Sequence, residues 1–203
     1  MARQFRGCSK LVYAPIIEAE GNTTYGDVKT LAPVKAISRD ITSDSEPVWA
    51  DNVLQQNTFA GTTVTRSFDC TRLDPAVEAE LLGLSTVAVG TEKAYATEPD
   101  ASERPYFAFG YALHDGDADK PCEIVWAYRG IVNSISKAAN TIDNATGSEG
   151  QTIEITFTAP LNKFTTTNKR NLDISMPVGE STKVDKWFEQ VVTPDNIASV
   201  MGA

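Results

Sequence analysis

Four runs of this chain alternate with a period of two, and that alternation restricts much of its length to β-strands. In "RPYFAFGYALH", Phe107, Phe109, Tyr111 and Leu113 fall on one side, while Ala108, Gly110 and Ala112 fall on the other. A helix would scatter these residues around its circumference; a strand separates them cleanly. The aromatic side is expected in a core. The small side predicts a neighbour that packs closely there. After the acidic turn "HDGDADKP", the run "CEIVWAYRGIVNSI" places Ile124, Trp126 and Tyr128 on the face of Cys122. Together the two runs predict an antiparallel hairpin, with a bulge at Gly130. "QTIEITFT" puts Ile153, Ile155 and Phe157 opposite Thr152, Glu154, Thr156 and Thr158. "TTVTRSFDC" sets Val64, Arg66, Phe68 and Cys70 against Thr63, Thr65, Ser67 and Asp69.

"KLVYAPII", "LAPVKAISRDI" and "NLDISMP" read as further strands. The clearest helix is "LDPAVEAELLGL". Asp74 suits its N-cap, Pro75 its first position, Glu78 its first turn and Gly83 its end, with Val77, Leu81 and Leu84 as the apolar stripe. "VDKWFEQVV" predicts a short C-terminal helix, and residues 178–203 read as a tail around it. The expected fold is one antiparallel β-sandwich or partly closed barrel over 1–203, with one flanking α-helix and that short C-terminal helix. No internal repeat or linker divides it.

One stretch resists this reading. "EPVWADNVLQQN" carries Trp49 among loop-type residues, with Pro47 against a central strand and Asp51-Asn52 as a turn pair. The segment from Thr42 to Asn57 therefore reads as a loop, and an unstructured loop of roughly 15 residues is usually functional.

Chemistry is sparse. His114 is the sole histidine, and its place beside a turn predicts an exposed residue. No ligand spacing joins it to Cys8, Cys70 or Cys122, so no metal site is expected. Cys70 and Cys122 read as small buried hydrophobes, and the odd, scattered cysteines argue against a disulfide framework. "DGDAD" lacks the glycine and glutamate of a calcium loop, since Lys120 and Trp126 hold those positions. "SISK" stands without the companion motifs of the enzymes that use it. No catalytic residue and no cofactor are expected. A net charge of −9 disfavours gripping a phosphate backbone. No apolar run reaches the roughly 18 residues of a membrane span, and "MARQFRGCSK" has no apolar core of a secretory signal. The chain is expected in a cytoplasm, at least at first.

The succession "LVYAPIIEAEG…YGDVKTLAPVKAISRDITSDSEPVWADN" resembles the major tail proteins of long-tailed phages, the phi13-type family. Trp49-Ala50-Asp51-Asn52 matches its "(Y/W)ADN" element. The helix ending near a glycine, the pair "PYFAFGYAL" and "VWAYRG", and "TIEITFTA" follow in the family's order. The resemblance covers nearly the whole chain, the segment after Pro177 least.

The resemblance implies a structural subunit of the virion tail, assembled in the host bacterial cytoplasm. Hexameric rings would stack into a tube, and DNA would pass through the lumen at ejection without specific binding. Implied partners are other copies of the chain, a tape-measure protein, and tail terminator or baseplate proteins. The resemblance also makes the 42–57 loop an inter-subunit element. Trp49, with Val48, Val53 and Leu54, would dock on a neighbouring subunit while Asp51 and Asn52 hold the turn; the alternative is that Trp49 covers its own core. Glu123, Thr152, Glu154 and Thr156 are candidate lumen-facing residues, or else face outward solvent. The acidic charge would suit such a lumen, or solubility alone. The alternative function is a ligand-binding β-sandwich, a carbohydrate or adhesion module, stacking its ligand on exposed Trp49, Trp126 or Tyr128.

Overall fold

The computed structural model describes residues 5–50, 53–97, 104–116, 120–138 and 150–202, with side chains described outside 44–60. Eleven strands and three short helices are described. They run β1 (Gly7–Ala19), β2 (Asn22–Tyr25), β3 (Lys29–Thr30), β4 (Val34–Ala50), β5 (Val53–Cys70), α1 (Pro75–Leu82), β6 (Ser85–Val89), β7 (Glu92–Ala96), β8 (Tyr106–His114), β9 (Glu123–Lys137), β10 (Gln151–Thr158), β11 (Asp173–Pro177), α2 (Val184–Trp187) and α3 (Ile197–Met201). The fold is mainly antiparallel β, as its alternation predicts. The main sheet has the order β2-β1-β8-β9-β10-β5-β4, with β3 added on β1 and β11 on β9. That path has two ends, so the sheet curls without closing.

The predicted hairpin is β8–β9, paired from Leu113 with Glu123 to Tyr106 with Ile131. One face of the sheet buries Phe107, Phe109, Tyr111, Ile153, Ile155, Phe157, Val64 and Phe68 as the larger core. Leu81 of α1 closes over it, with Val77 at its margin. The helix forms as its sequence dictates: the Asp74 side chain accepts from the Ala76 N–H at 2.8 Å, and Gly83 ends it at φ 67°.

The opposite face of β1, β8 and β9 is a second core. Val12, Ala14, Ala108, Ala112, Ile124, Trp126 and Tyr128 meet Phe164, Trp187, Val191, Val192 and Val200 there. The expected C-terminal tail is thus a packed layer. Trp126 Nε1 donates to the Trp187 carbonyl at 2.8 Å and the Tyr128 hydroxyl to the Val192 carbonyl at 3.1 Å. The small residues of β8 admit this layer's partners: a Cβ on Gly110 would stand 2.9 Å from Val12 Cγ2 and 3.0 Å from the Trp126 ring.

Gly130 serves packing more than bulging. The β8–β9 register shifts just before it, between the pairs Phe109–Ala127 and Phe107–Gly130. A Cβ at Gly130 would lie 2.6 Å from Phe157 Cε1 and 2.7 Å from Ile155 Cγ2, both fully buried. Gly130→Ala is therefore expected to destabilise the protein by about 1–3 kcal/mol through overpacking. Denaturant unfolding measures it, and an unchanged midpoint would contradict the packing described.

The Thr42–Asn57 segment differs from the sequence reading. Its described residues, 42–50 and 53–57, are paired strand, not loop. β4 and β5 remain paired antiparallel from Val34–Cys70 out to Ala50–Val53, with register shifts at Val34/Ala36, Ser43/Asp44 and Val48/Trp49. Pro47 fits because β4 lies at the end of the sheet, where a missing N–H costs no interior ladder bond. Two strands reading as loop had concealed a hairpin: the Thr-rich, β-branched run on β5 supplies strand propensity that Pro47 and the polar residues masked. The small hairpin β6–β7 and the short strands β2 and β3 were also not foreseen.

Candidate assembly interface

Two surfaces stand out, and both grow from β5. The first is the distal β4–β5 hairpin. β10 pairs with β5 only from Cys70 to Val64, whereas β4 pairs with β5 well beyond, as far as Val53. Past Val64, among the described strands, β4 and β5 are paired only with each other. Residues 44–50 extend roughly 23 Å at about 3.3 Å per residue. The arm departs at a bulge: Ser43 pairs with Thr62 and Asp44 with Ala60, leaving Gly61 as the extra residue at φ 64°. A left-handed residue in that place raises the local twist and redirects the strand. Val48, Trp49, Val53 and Leu54 lie in the arm's strands, on either side of a second register shift at Val48/Trp49. Their side chains, and Asp51 and Asn52 altogether, lie outside what the structure describes, as do Asp117 to Asp119 of the acidic turn.

The second surface is the outer face of β9, β10, β5 and β4, over which no described element packs. Here the chain's own C-terminal layer stops and hydroxyls and carboxylates take over. Thr152 donates to Asp69 at 2.6 Å, Ser134 to Glu154 at 3.2 Å, and Asn133 to Thr156 at 2.7 Å. Register continues the row across Ser67 and Thr65 on β5 to Ser38 and Asp40 on β4. Arg129 borders this face but is already engaged. Its Nε and Nη2 donate to the two Glu18 oxygens at 2.5 and 3.1 Å, and its guanidinium lies 3.7 Å from the Tyr106 ring centroid. Asp40, Asp69 and Glu154 are left as its exposed charges.

Of the four residues expected to line a lumen, Thr152, Glu154 and Thr156 thus share one face. Glu123 does not join them. It starts β9 opposite Leu113 and Pro177, on the side of Val125 and Ala127, which enter the larger core. Asp40 and Asp69 belong to the face although the reading of β10 alone did not include them. The same period-two signal in β4 and β5, once registered against β10, finds them.

Three further expectations change. Trp126 and Tyr128 are fully buried, so neither can stack on a ligand. His114 is 5% exposed instead of solvent-facing; as the last residue of β8 it lies opposite Gly7, with Ser9 Oγ 2.7 Å from its Nε2. Cys70 is buried as expected and burial, with Asp69 beside it, pushes its thiol up to about 12, whereas Cys122 is only half-buried. Among the described residues no group of three or more His, Cys, Asp or Glu could hold a metal ion, and no helix is long and apolar enough to cross a membrane. His114→Ala is expected to lower the melting temperature by emptying a buried site, while leaving the assembly state unchanged. Loss of assembly at an unchanged melting temperature would assign His114 a functional role.

No protein-family model matches the chain, and no curated protein does. Solved structures similar to it include three chains. The tube-terminating cap of the anti-feeding prophage aligns at TM-score 0.47 and 8% identity, covering 88% of this chain and 95% of that one. A chain of the sheath–tube complex of PVC, an extracellular contractile injection system in its extended state, aligns at 0.44 and 8%, covering 84% and 90%. A chain from the tail of an empty GTA particle aligns at 0.40 and 14%, covering 72% and 90%.

Proposed function

We propose that this chain is a structural, non-enzymatic subunit of a phage tail tube, forming stacked hexameric rings around a lumen through which DNA passes. The observation that carries the reading is the β4–β5 arm. A hairpin whose strands, past the sheet, are paired only with each other exposes backbone edges that invite another chain. A ring of copies turns the open ends β2 and β4 of the sheet into contacts, and head-to-tail stacking continues it as a filament.

The hydroxyl-and-carboxylate face supplies the lumen in this reading. Asp40, Asp69 and Glu154 repel phosphate, so a duplex slides past them instead of adhering. Tape-measure, terminator and baseplate proteins would be the further partners, and the virion tail the place of residence. The alternative of a glycan-binding module loses two of its three proposed platforms to the core.

Negative-stain electron microscopy of the purified protein, with light scattering, tests the proposal. Rings or hollow tubes are expected. A monomer at every attainable concentration overturns it. Glu154 on the outer wall of a resolved tube would overturn the lumen assignment alone.

A further inference from the structure

We infer that the turn around Lys163, Lys169 and Arg170 is a docking site for the acidic β4–β5 arm of a second copy of this chain. The inference rests on the tube-subunit reading and names the counter-surface of its arm.

The turn is built to stay in place. Phe164 is buried 5.0 Å from the Tyr128 ring, as part of the C-terminal layer. Phe164 and Lys169 bridge, with the Phe164 N–H donating to the Lys169 carbonyl at 2.9 Å and the Asn168 N–H to the Phe164 carbonyl at 2.8 Å. Asp195 accepts from the N–H groups of Thr166 at 2.7 Å and Thr165 at 2.9 Å, which hold its carboxyl below the usual carboxylate range. Asn168 takes a left-handed φ of 54° to complete the turn.

Upon this frame Lys163, Lys169 and Arg170 are all exposed, and none forms an ion pair among the described residues. Lys10, Lys29, Arg39, Arg66, Arg129 and Lys137 each have a carboxylate partner; other cations, Arg72, Lys93, Lys183 and Lys186 among them, also lack one among the described residues, and what distinguishes these three is that they share one turn. In a chain of net charge −9, three unpaired cations on one rigid turn form a local site for an acidic strand.

The chain itself carries such a strand. Residues 42–57 contain Asp44, Glu46 and Asp51 and no Lys, Arg or His. Asp44 and Glu46 stand in β4 beyond the point where the sheet ends. Charge complementarity between copies fixes register and suppresses wrong pairings more than it adds raw affinity. Here it would orient an arm whose apolar residues supply the burial.

The test has two independent arms. In the first, unlabelled and 15N-labelled protein are mixed, treated with a zero-length carbodiimide crosslinker and digested. Mass spectrometry is expected to find Lys163 or Lys169 joined to Asp44 or Glu46 in mixed-isotope peptides. Their absence overturns the inference, whether or not tubes form. In the second, Lys163→Glu/Lys169→Glu/Arg170→Glu is expected to lose assembly at a concentration where the parent assembles fully. Adding Asp44→Lys/Glu46→Lys to the same chain is expected to restore it. A charge-reversed turn that assembles like the parent overturns the inference and leaves the tube reading intact. A parent that never assembles overturns the tube reading, while the crosslinks still decide the docking site.

Discussion

Removing the arm abolishes assembly and leaves the subunit's melting temperature unchanged within error. That is the expected result when residues 44–61 are replaced by Asn-Gly, closing β4 on β5 where Ser43 faces Thr62. The two-residue Asn-Gly connection suits the tight turn that joins antiparallel strands. The core should not register the loss. Ile37 and Val64 are the last described residues of β4 and β5 to pack into it, and residues 38–43 and 61–63 are exposed. The ladder bonds removed are those the two strands make with each other. Trp49→Ala is the milder form of the same experiment. Burying a large aromatic contributes about 2–3 kcal/mol, so its loss from an interface repeated along a tube should stop growth. Thermal melts by circular dichroism and electron microscopy for tubes read both variants. A lowered melting temperature with tubes still forming would place Trp49 on its own subunit and sink the arm.

Breaking the ion pair beneath the arm has the opposite signature. Arg66 is fully buried among aromatic rings, with its guanidinium carbon 4.7 Å from the Phe157 centroid. Its Nε donates to the Tyr111 hydroxyl at 3.1 Å, and its Nη2 pairs with Asp173 at the start of β11. Arg39 of β4 reaches the same carboxylate at 3.6 Å. One aspartate thus ties the root of the arm to the strand that leads into the C-terminal layer. Asp173→Ala leaves the Arg66 charge buried without its partner, which costs about 3–5 kcal/mol. At roughly 2–4 °C per kcal/mol for a chain of this size, the melting temperature should fall by roughly 6–20 °C. Arg66→Met, which removes charge and keeps apolar volume, should cost distinctly less. Asp173→Ala within about 1 kcal/mol of the parent, by denaturant unfolding, would show that the pair is solvated in solution.

Arg66 also marks a limit of pattern reading. Its parity in "TTVTRSFDC" assigned it to the core face, and the structure places it there. Its partner lies over a hundred residues away, and nothing local to Asp173 announces it. His114 erred for a similar reason. A turn-flanking histidine reads as exposed until β1 is known to run alongside and bring Ser9 to it. Trp126 and Tyr128 were assigned a face correctly, yet whether that face meets solvent depended on the C-terminal layer.

What the sequence determined by itself was local: the strands of the alternating runs, which side of each is apolar, and where α1 begins and ends. Those features follow from the two-residue strand period and from capping groups within a few positions of one another. Tertiary structure alone decided which faces are covered and which remain open. Thr152, Glu154 and Thr156 look equally polar whether they meet water, a lumen or another strand's hydroxyls. Only the register of β9, β10, β5 and β4 joins them to Asp40 and Asp69 as one surface. The arm is the sharpest case. Pro47 and the polar residues around it disfavour a strand locally, but at a sheet edge the missing N–H leaves no interior bond unmade, and pairing with β5 prevails.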